Sequence, residues 1–247
     1  MPVSWTDDEW PIINYGKPIS LVGTANARGL YVYDFPSKWH DNFLSSKLQL
    51  GWYRKNTPLK PDSDMSLSER PGYLRIHPGP YKLSSPASPI AIFRKQQHKE
   101  GIWKTRLSFH PDKERSEAGT CVYWNYFTWS SIGIRKSANV GREIVFTPQD
   151  GQTCSAKLES DTIEVDLAIR CQKLHYSFGY HEVKTGATKI SADADFEWLG
   201  DVSTSTMTQN PPVGLPFTGM MFGLYAFTEM QRGLTPADFA FAEFLGT

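Results

Sequence analysis

The sequence predicts an all-β fold in which two antiparallel sheets stack as a jelly-roll sandwich. Glycine and proline are frequent, with 19 and 17 residues, and aromatic residues make up 13% of the 247-residue chain. No long segment has the 3.6-residue spacing of an amphipathic helix. Short segments that read as strands are instead separated by turn sequences such as Asn56-Thr57-Pro58 and His77-Pro78-Gly79-Pro80. This pattern is typical of strands joined by turns.

Eight strands are predicted from period-two alternation or from a bias toward β-branched and aromatic residues. Eight strands suffice for two stacked sheets. Two further segments, Ser37–Phe43 and Pro236–Phe244, have a residue spacing that suggests a short helix. In chain order, the predicted strands are Tyr73–Ile76, Ile90–Gln96, Trp103–Phe109, Thr120–Trp129, Ile144–Phe146, Ile163–Arg170, Leu174–Tyr180 and Phe217–Phe227.

The domain organisation follows from the same pattern. Residues 31–247 contain all predicted strands and form one β-sandwich domain, since no repeat or low-complexity linker divides them. Residues 1–30 lack a strand pattern but contain Trp5 and Trp10. Two tryptophans are costly to expose to water. We therefore expect residues 1–30 to form an extended arm that packs on the sandwich.

Composition excludes several classes of partner. Lysine plus arginine equal aspartate plus glutamate at 26 each, so there is no basic field for nucleic acid. No export signal or apolar run of membrane-spanning length is present. The cysteines Cys121, Cys154 and Cys171 are too few and too widely spaced for a disulfide framework or zinc site, and no Asn-x-Ser/Thr sequon occurs. We expect a cytoplasmic protein with reduced, mostly buried thiols and no membrane or nucleic-acid partner.

Several ordered motifs together resemble one known family. They include Leu48–Arg54 (LQLGWYR), Ser66–Ile76 (SLSERPGYLRI), Arg94–Gln97 (RKQQ), Glu117–Gly119 (EAG), Tyr176–Tyr180 (YSFGY), Phe217–Met220 (FTGM) and, in spite of its helical spacing, Pro236–Phe244, which resembles a closing strand. This set resembles the C-terminal concanavalin A-like β-sandwich module of glycoside hydrolase family 43 β-xylosidases and arabinofuranosidases. The resemblance implies that the catalytic carboxylates lie on a propeller that this sequence lacks. Since a glycosidase needs two carboxyls flanking one bond, hydrolysis is not expected.

The resemblance leaves two functions open. The chain also resembles stand-alone fungal hetero-Diels–Alderases that make tropolonic sesquiterpenoids, which implies a cofactor-independent reaction of a tropolone quinone methide with a humulene-type alkene. Such a cycloaddition needs a shaped, dry pocket rather than a nucleophile or metal. The alternative is a non-catalytic module that binds xylan. We take the pericyclase as the first interpretation, with a small-molecule substrate and no cofactor or metal; the oligomeric state is open.

Strand phase suggests which residues hold the substrate. In the predicted strand Ile90–Gln96, apolar residues give way to Arg94 and Gln96, which indicates that one face of the strand is exposed to solvent there. Both side chains could donate a hydrogen bond to a ligand oxygen. The Tyr123 hydroxyl is a third donor, and His77 could assist a proton transfer. The alternative interpretation is that these residues are solvent-exposed at the rim of the sandwich or packed in its core, without contacting a ligand. The predicted catalytic residues are thus Arg94, Gln96, Tyr123 and His77, and the predicted substrate contacts are Trp52, Trp124, Asn125, Trp129, Phe217 and Met220.

One acidic passage could bind calcium. Asp193, Asp195 and Glu197 alternate along the sequence, and carboxylate oxygens are calcium ligands. An exposed loop rich in carboxylates is the simpler interpretation. We therefore predict no metal site.

Overall fold

The computed structural model describes residues 3–18, 36–59, 64–149, 151–173, 175–184, 190–203 and 219–246. The chain divides into two compact units, residues 1–35 and 36–247. In the first unit, strand β1 (Val3–Trp5) pairs antiparallel with β2 (Pro11–Ile13), and a 3-10 turn follows over Asn14–Gly16. The packing of an arm of residues 1–30 on the sandwich stays a prediction.

In the second unit, the described regular secondary structure consists almost entirely of β-strands. The first of them are β3 (Lys38–Asp41), β4 (Trp52–Tyr53), β5 (Met65–Ser66), β6 (Leu74–Ile76), β7 (Ala91–Lys95), β8 (Glu100–Ser108), β9 (Ser116–Asn125) and β10 (Thr128–Ser137). They are followed by β11 (Gly141–Thr147), β12 (Cys154–Lys157), β13 (Glu164–Gln172), β14 (His175–Val183), β15 (Glu197–Ser203), β16 (Met221–Thr228) and β17 (Ala237–Gly246). A 3-10 turn, Asp193–Asp195, precedes β15.

These strands form two antiparallel sheets. The seven-stranded sheet has the order β12-β11-β10-β9-β16-β7-β4. The eight-stranded sheet has the order β15-β14-β13-β8-β17-β6-β5, and β3 also pairs with β17. The two sheets pack face to face, which confirms the predicted all-β sandwich. Among the described residues, no helix is long and apolar enough to cross a membrane.

The main hydrophobic core lies between the two sheets. Alternate residues of each strand point into it, such as Ile132 and Ile134 from β10 and Leu167 and Ile169 from β13. Aromatic rings join the two layers. Ring centroids lie 5.8 Å apart for Trp39 and Trp103, 5.1 Å for Trp103 and Phe222, and 5.6 Å for Phe222 and Phe244. Each such pair adds about 0.5–1.5 kcal/mol to the burial energy.

Two helix predictions are wrong. Ser37–Phe43 contains β3, and Pro236–Phe244 belongs to β17. The register of β17 against β8 shifts between Phe239 and Phe241. Because this bulge adds one residue, the core residues Phe239 and Ala242 are three positions apart instead of two. A bulged strand therefore mimics the spacing of a helix.

The two outer faces of the sandwich differ in chemistry. On the eight-stranded sheet, fully buried Asp166 accepts hydrogen bonds from Arg106 Nε at 2.7 Å and Nη2 at 3.0 Å, and from the Ser191 hydroxyl at 2.6 Å. The Arg106 guanidinium and the Asp166 carboxylate are thus paired within the protein. The outer face of the seven-stranded sheet holds a larger cluster of apolar and aromatic side chains than the one formed by Ile102, Ala168 and Phe196 on the eight-stranded sheet. This second face is the stronger candidate for ligand contact.

Candidate functional site

A layer of rings covers the centre of the outer face of the seven-stranded sheet. Phe93, Tyr123, Tyr225 and Phe227 are buried there together with Leu83. The Phe93 and Tyr123 rings stack with centroids 4.7 Å apart. Phe93 lies directly over Gly223, where a Cβ atom would come within 2.7 Å of the ring. A glycine at this position therefore lets the ring lie flat on the sheet.

Beside this layer lies a group of residues that we call the Trp129 face, formed by Tyr123, Trp129, Ser131, Thr147 and Gln149. Tyr123 pairs with Trp129 across β9 and β10, and Ser131 pairs with Thr147 across β10 and β11. Directly paired side chains are about 5 Å apart. The Gln149 N–H donates to Ser130 Oγ at 3.0 Å, which holds Gln149 next to the same strand. Half-buried Trp129 thus has polar neighbours on either side.

Several polar atoms of the Trp129 face are buried without a hydrogen-bond partner in the described part of the chain. They are the Tyr123 hydroxyl, Thr147 Oγ1 and Gln149 Oε1. The Ser131 hydroxyl lies near that of Tyr225 but is not within hydrogen-bonding geometry. Unpaired buried polar atoms are rare in folded proteins and each needs an explanation. Several in adjoining positions indicate a place where water, or a ligand that displaces the covering side chains, supplies the missing partners.

A buried acidic network lies at the other end of this outer face. Glu117, which is 2% exposed, accepts hydrogen bonds from Arg135 Nε at 2.8 Å and from the Tyr225 hydroxyl at 2.6 Å. Burial, reinforced by the Glu117 carboxylate, raises the pKa of Tyr225 well above its usual value. Each polar group of this network thus has its hydrogen-bond partner within the network. The network therefore stabilises the ring layer rather than offering groups to a ligand.

Arg94, Gln96 and Met220 lie together at one end of the space between the sheets. Arg94 Nη1 donates to the Leu50 carbonyl at 2.9 Å, its guanidinium lies 3.9 Å from the centre of the Trp39 ring, and burial lowers its pKa. The Gln96 amide accepts from the Tyr176 hydroxyl at 2.6 Å, and its backbone N–H donates to the Met220 carbonyl at 3.0 Å. The adjoining cavity holds only about 10 Å³, which is room for about one water.

This placement corrects the predicted grouping of donors. Arg94 pairs with Phe222 and shares its core-facing side of β7 with Ile92, whereas Tyr123 pairs with Met221 on the opposite side of the sheet. A single pocket therefore does not contain Arg94, Gln96 and Tyr123. Any ligand that contacts the Tyr123 hydroxyl is separated from Arg94 by the sheet itself.

Other predicted contacts are scattered. Trp52 is 4% exposed in the core, where its indole N–H donates to Asp41 at 3.0 Å, and its substrate contact stays a prediction. Trp124 lies at a register shift between β9 and β10, and its indole nitrogen is buried without a partner among the described residues. Asn125 Oδ1 accepts from the Phe127 N–H at 2.9 Å and closes the turn between these strands. Phe217 lies outside the described residues.

His77 lies away from Tyr123, in a cleft at the end of β6. Its Nε2 atom is 3.0 Å from Glu69 Oε2. Its backbone N–H donates to the Asp64 carbonyl at 2.8 Å. Of the four predicted catalytic residues, the structure thus brings only Arg94 and Gln96 close together.

The structure also shows the roles of the cysteines and of the acidic passage. Cys121, Cys154 and Cys171 are free, and Cys154 is the exposed one. Burial raises the pKa of Cys171 to about 12. Asp193 forms an ion pair with Lys104 at 2.9 Å, and Glu197 accepts from the Tyr180 hydroxyl at 3.0 Å. These carboxylates therefore serve packing contacts within the protein.

Sequence reasoning missed Ser131, Thr147 and Gln149. One signal was available in the segment from Trp129 to Ile134, where small or polar residues alternate with Ile132 and Ile134. Such alternation predicts one core face and one face that is open to a ligand or to water. The position of Thr147 opposite Ser131 depends on the pairing of β10 with β11, which the sequence does not reveal.

The fold and site define a concanavalin A-like sandwich module with a ring-bearing outer face. Residues 40–245 match the profile of the beta xylosidase C-terminal concanavalin A-like domain, and the chain belongs to this family. It is 28% identical to a Vibrio xylan 1,3-beta-xylosidase, over 98% of this chain and 43% of that protein. It is 29% identical to a non-reducing end alpha-L-arabinofuranosidase of Bacteroides ovatus, over 98% of this chain and 44% of that protein.

Solved structures agree with this assignment. The Bacteroides ovatus xyloglucan PUL GH43B superposes with a TM-score of 0.78 at 26% identity, covering 100% of this chain and 46% of that chain. Bacillus licheniformis GH43 BlXynB shares the fold with a TM-score of 0.75 at 23% identity, covering 100% of this chain and 46% of that one. The chain thus spans less than half the length of these relatives.

Proposed function

We propose that the chain is a non-hydrolytic binding module for a xylan-type glycan, and that the Trp129 face holds the sugar. The observation that carries this proposal is the half-buried Trp129 ring with unpaired Tyr123, Thr147 and Gln149 atoms beside it. A sugar ring has an apolar face that can pack on an aromatic ring and hydroxyls that both donate and accept. Phenol, hydroxyl and amide groups are suitable partners for those hydroxyls.

The relatives support the choice of glycan. Those named above include a xylan 1,3-beta-xylosidase and an arabinofuranosidase, and this chain shares their sandwich module. The proposed contacts carry no formal charge, which suits a neutral polysaccharide. Binding requires no metal and no covalent step, so it draws only on packing and hydrogen bonds.

Calorimetry with xylohexaose tests the proposal. We expect saturable binding, and Trp129→Ala should weaken it at least tenfold, because the packing surface for the sugar is lost. Trp198→Ala is the matched control, since Trp198 is a half-buried tryptophan that stacks on Arg170 at 4.2 Å on the opposite outer face. No binding by the unmodified chain, or equal loss in both variants, would contradict the proposal.

A second candidate is the hetero-Diels–Alder reaction, which the ring layer favours. Tyr123 places one hydroxyl donor beside the buried Phe93, Tyr225 and Phe227 rings. Burial raises the pKa of Tyr123, so the hydroxyl stays protonated and can donate to a tropolone oxygen. In this reaction, a hydroxymethyl tropolone loses water, and the resulting quinone methide forms one C–C and one C–O bond with the alkene. Exclusion of water protects that intermediate.

Incubation with a hydroxymethyl tropolone and a humulene-type alcohol separates the two functions. A pericyclase yields a single stereoisomer of the adduct, and Tyr123→Phe should slow its formation at least tenfold. Tyr126→Phe serves as the control, because Tyr126 lies in the turn after β9. Xylohexaose binding without any effect on the rate or stereochemistry of adduct formation would eliminate this second candidate.

A further inference from the structure

The cleft that contains His77 lies far from the Trp129 face. Gly79 on the cleft pairs with Phe227 near one end of β16, whereas Tyr123 pairs with Met221 at the other end. Met221 and Phe227 are therefore about 20 Å apart along β16, at the usual rise per residue of a strand. The cleft has a volume of about 520 Å³, which lies within the range of small-molecule sites.

The walls of the cleft are fixed by backbone hydrogen bonds. The carbonyls of Pro78, Gly79 and Pro80 accept from the N–H groups of Gly233 at 3.1 Å, Thr228 at 2.8 Å and Met230 at 3.1 Å. The two prolines also have a fixed backbone φ. A Cβ atom on Gly79 would come within 2.4 Å of the Ile90 side chain, so the segment packs closely at this point. The cleft is therefore formed before any ligand binds.

The cleft has an apolar side and a polar side. The apolar side consists of Pro78, Pro80, Tyr81, Ile90 and Leu234. Tyr81 is 47% exposed and Leu234 is 76% exposed, so both offer apolar surface to a ligand.

The polar side carries His77, Asp64, Ser88 and Arg232. Asp64 lies 3.1 Å from Arg54 and 3.7 Å from Arg232, and His77 Nε2 lies 3.0 Å from a Glu69 oxygen. His77 Nδ1 has no hydrogen-bond partner among the described residues. The charges of this side largely offset one another, which favours a neutral ligand over an ion.

From this arrangement we infer that the cleft is a second ligand site, for a neutral apolar ring that carries a hydroxyl group, such as an aromatic or alicyclic alcohol. The ring packs against Tyr81, Leu234 and the prolines, and the hydroxyl contacts His77 or Ser88. A sugar is a poorer fit, because its hydroxyls point in all directions and those facing the apolar side would lose their hydrogen bonds.

NMR titration of the ¹⁵N-labelled chain with benzyl alcohol tests this inference. We expect saturable shifts of the Gly79 and Gly233 amide signals and of the His77 imidazole signals, while the Trp129 indole signal stays in place. The double variant Tyr81→Ser, Leu234→Ser should bind at least fivefold more weakly. Leu234 is largely exposed and Tyr81 is about half exposed, so the variant should keep its fold, which its amide spectrum checks.

Leu44→Ser is the matched control, because Leu44 is 73% exposed and does not line the cleft. The inference is overturned if no signal saturates up to the solubility limit of benzyl alcohol, or if the double variant binds as well as the unmodified chain. Tighter binding of xylose at the same signals would overturn the ligand class. Xylohexaose affinity at the Trp129 face should not change in the double variant, so the two proposals fail independently.

Discussion

Replacement of Thr147 by valine is expected to stabilise the protein while it weakens ligand binding. Thr147 Oγ1 is buried and has no partner in the described part of the chain. Valine has nearly the same shape but no hydroxyl to desolvate. An unpaired buried polar group costs about 1–3 kcal/mol, and we take the low end because the residue as a whole is half-buried. The expected gain in the free energy of unfolding is about 1 kcal/mol.

Urea unfolding and calorimetry measure the two effects of Thr147→Val separately. A gain of about 1 kcal/mol corresponds to a rise in Tm of about 2–4 °C for a chain of this size. Xylohexaose affinity should fall about fivefold, which is also close to 1 kcal/mol. Opposite signs for stability and binding distinguish a ligand-contacting hydroxyl from one that simply packs.

Thr120→Val is the matched control. The Thr120 hydroxyl donates to the Gly223 carbonyl at 2.7 Å and accepts from the Trp103 indole N–H at 2.9 Å. Its removal leaves both partners unpaired and should cost about 1–3 kcal/mol. If Thr147→Val destabilises the chain as Thr120→Val does, the Thr147 hydroxyl has a partner in the free protein and the reasoning fails.

Three further predictions concern stability. Asp166→Ala removes the buried carboxylate that accepts from Arg106 and Ser191 and should cost about 3–5 kcal/mol in urea unfolding; a loss below about 1 kcal/mol would show that this carboxylate contributes little. Gly223→Ala places a Cβ atom 2.7 Å from Phe93 and should lower stability by about 1–3 kcal/mol through overpacking, which an unchanged Tm would refute. Burial raises the pKa of Tyr225 well above its usual value, and burial together with Glu197 raises that of Tyr180 to about 12. Since an unfolded tyrosine ionises near pH 10, the folded chain alone keeps these protons between about pH 10 and 12. The urea midpoint should therefore stay constant below about pH 10 and fall between about pH 10 and 12. The fall should be shallower in Tyr180→Phe than in the unmodified chain. A midpoint that stays constant up to about pH 12 would disprove this reasoning.

Much of the fold could be predicted because alternation along a strand is a local property. Ile163–Arg170 was predicted as a strand and corresponds to much of β13. Thr120–Trp129 was predicted as one strand, but the chain turns after Asn125 and Trp129 belongs to β10. Pro236–Phe244 was misread, since the bulge between Phe239 and Phe241 gives β17 the spacing of a helix. A bulge depends on the partner strand, and the sequence does not show the partner.

The candidate site was harder to predict because it depends on the pairing between strands. Tyr123 and Trp129 were placed six positions apart on one predicted strand, whereas the structure pairs them across the hairpin of β9 and β10. The phase of each strand did not reveal that Arg94 and Tyr123 lie on opposite sides of one sheet. Alternation assigns residues to two faces of each strand, but only the register relates the faces of different strands.

The central place of β17 has a consequence for how the molecule is made. This strand fills the gap between β8 and β6, and the Thr105 hydroxyl on β8 bonds to the Phe241 carbonyl, 136 positions further along the chain. Until β17 is inserted, β8 and β6 each expose an unpaired edge that can capture a strand from another molecule. We expect closure of this gap to be slow, because the entropy of closing such a long loop opposes it until the contacts form. Refolding yields should therefore fall as the protein concentration rises.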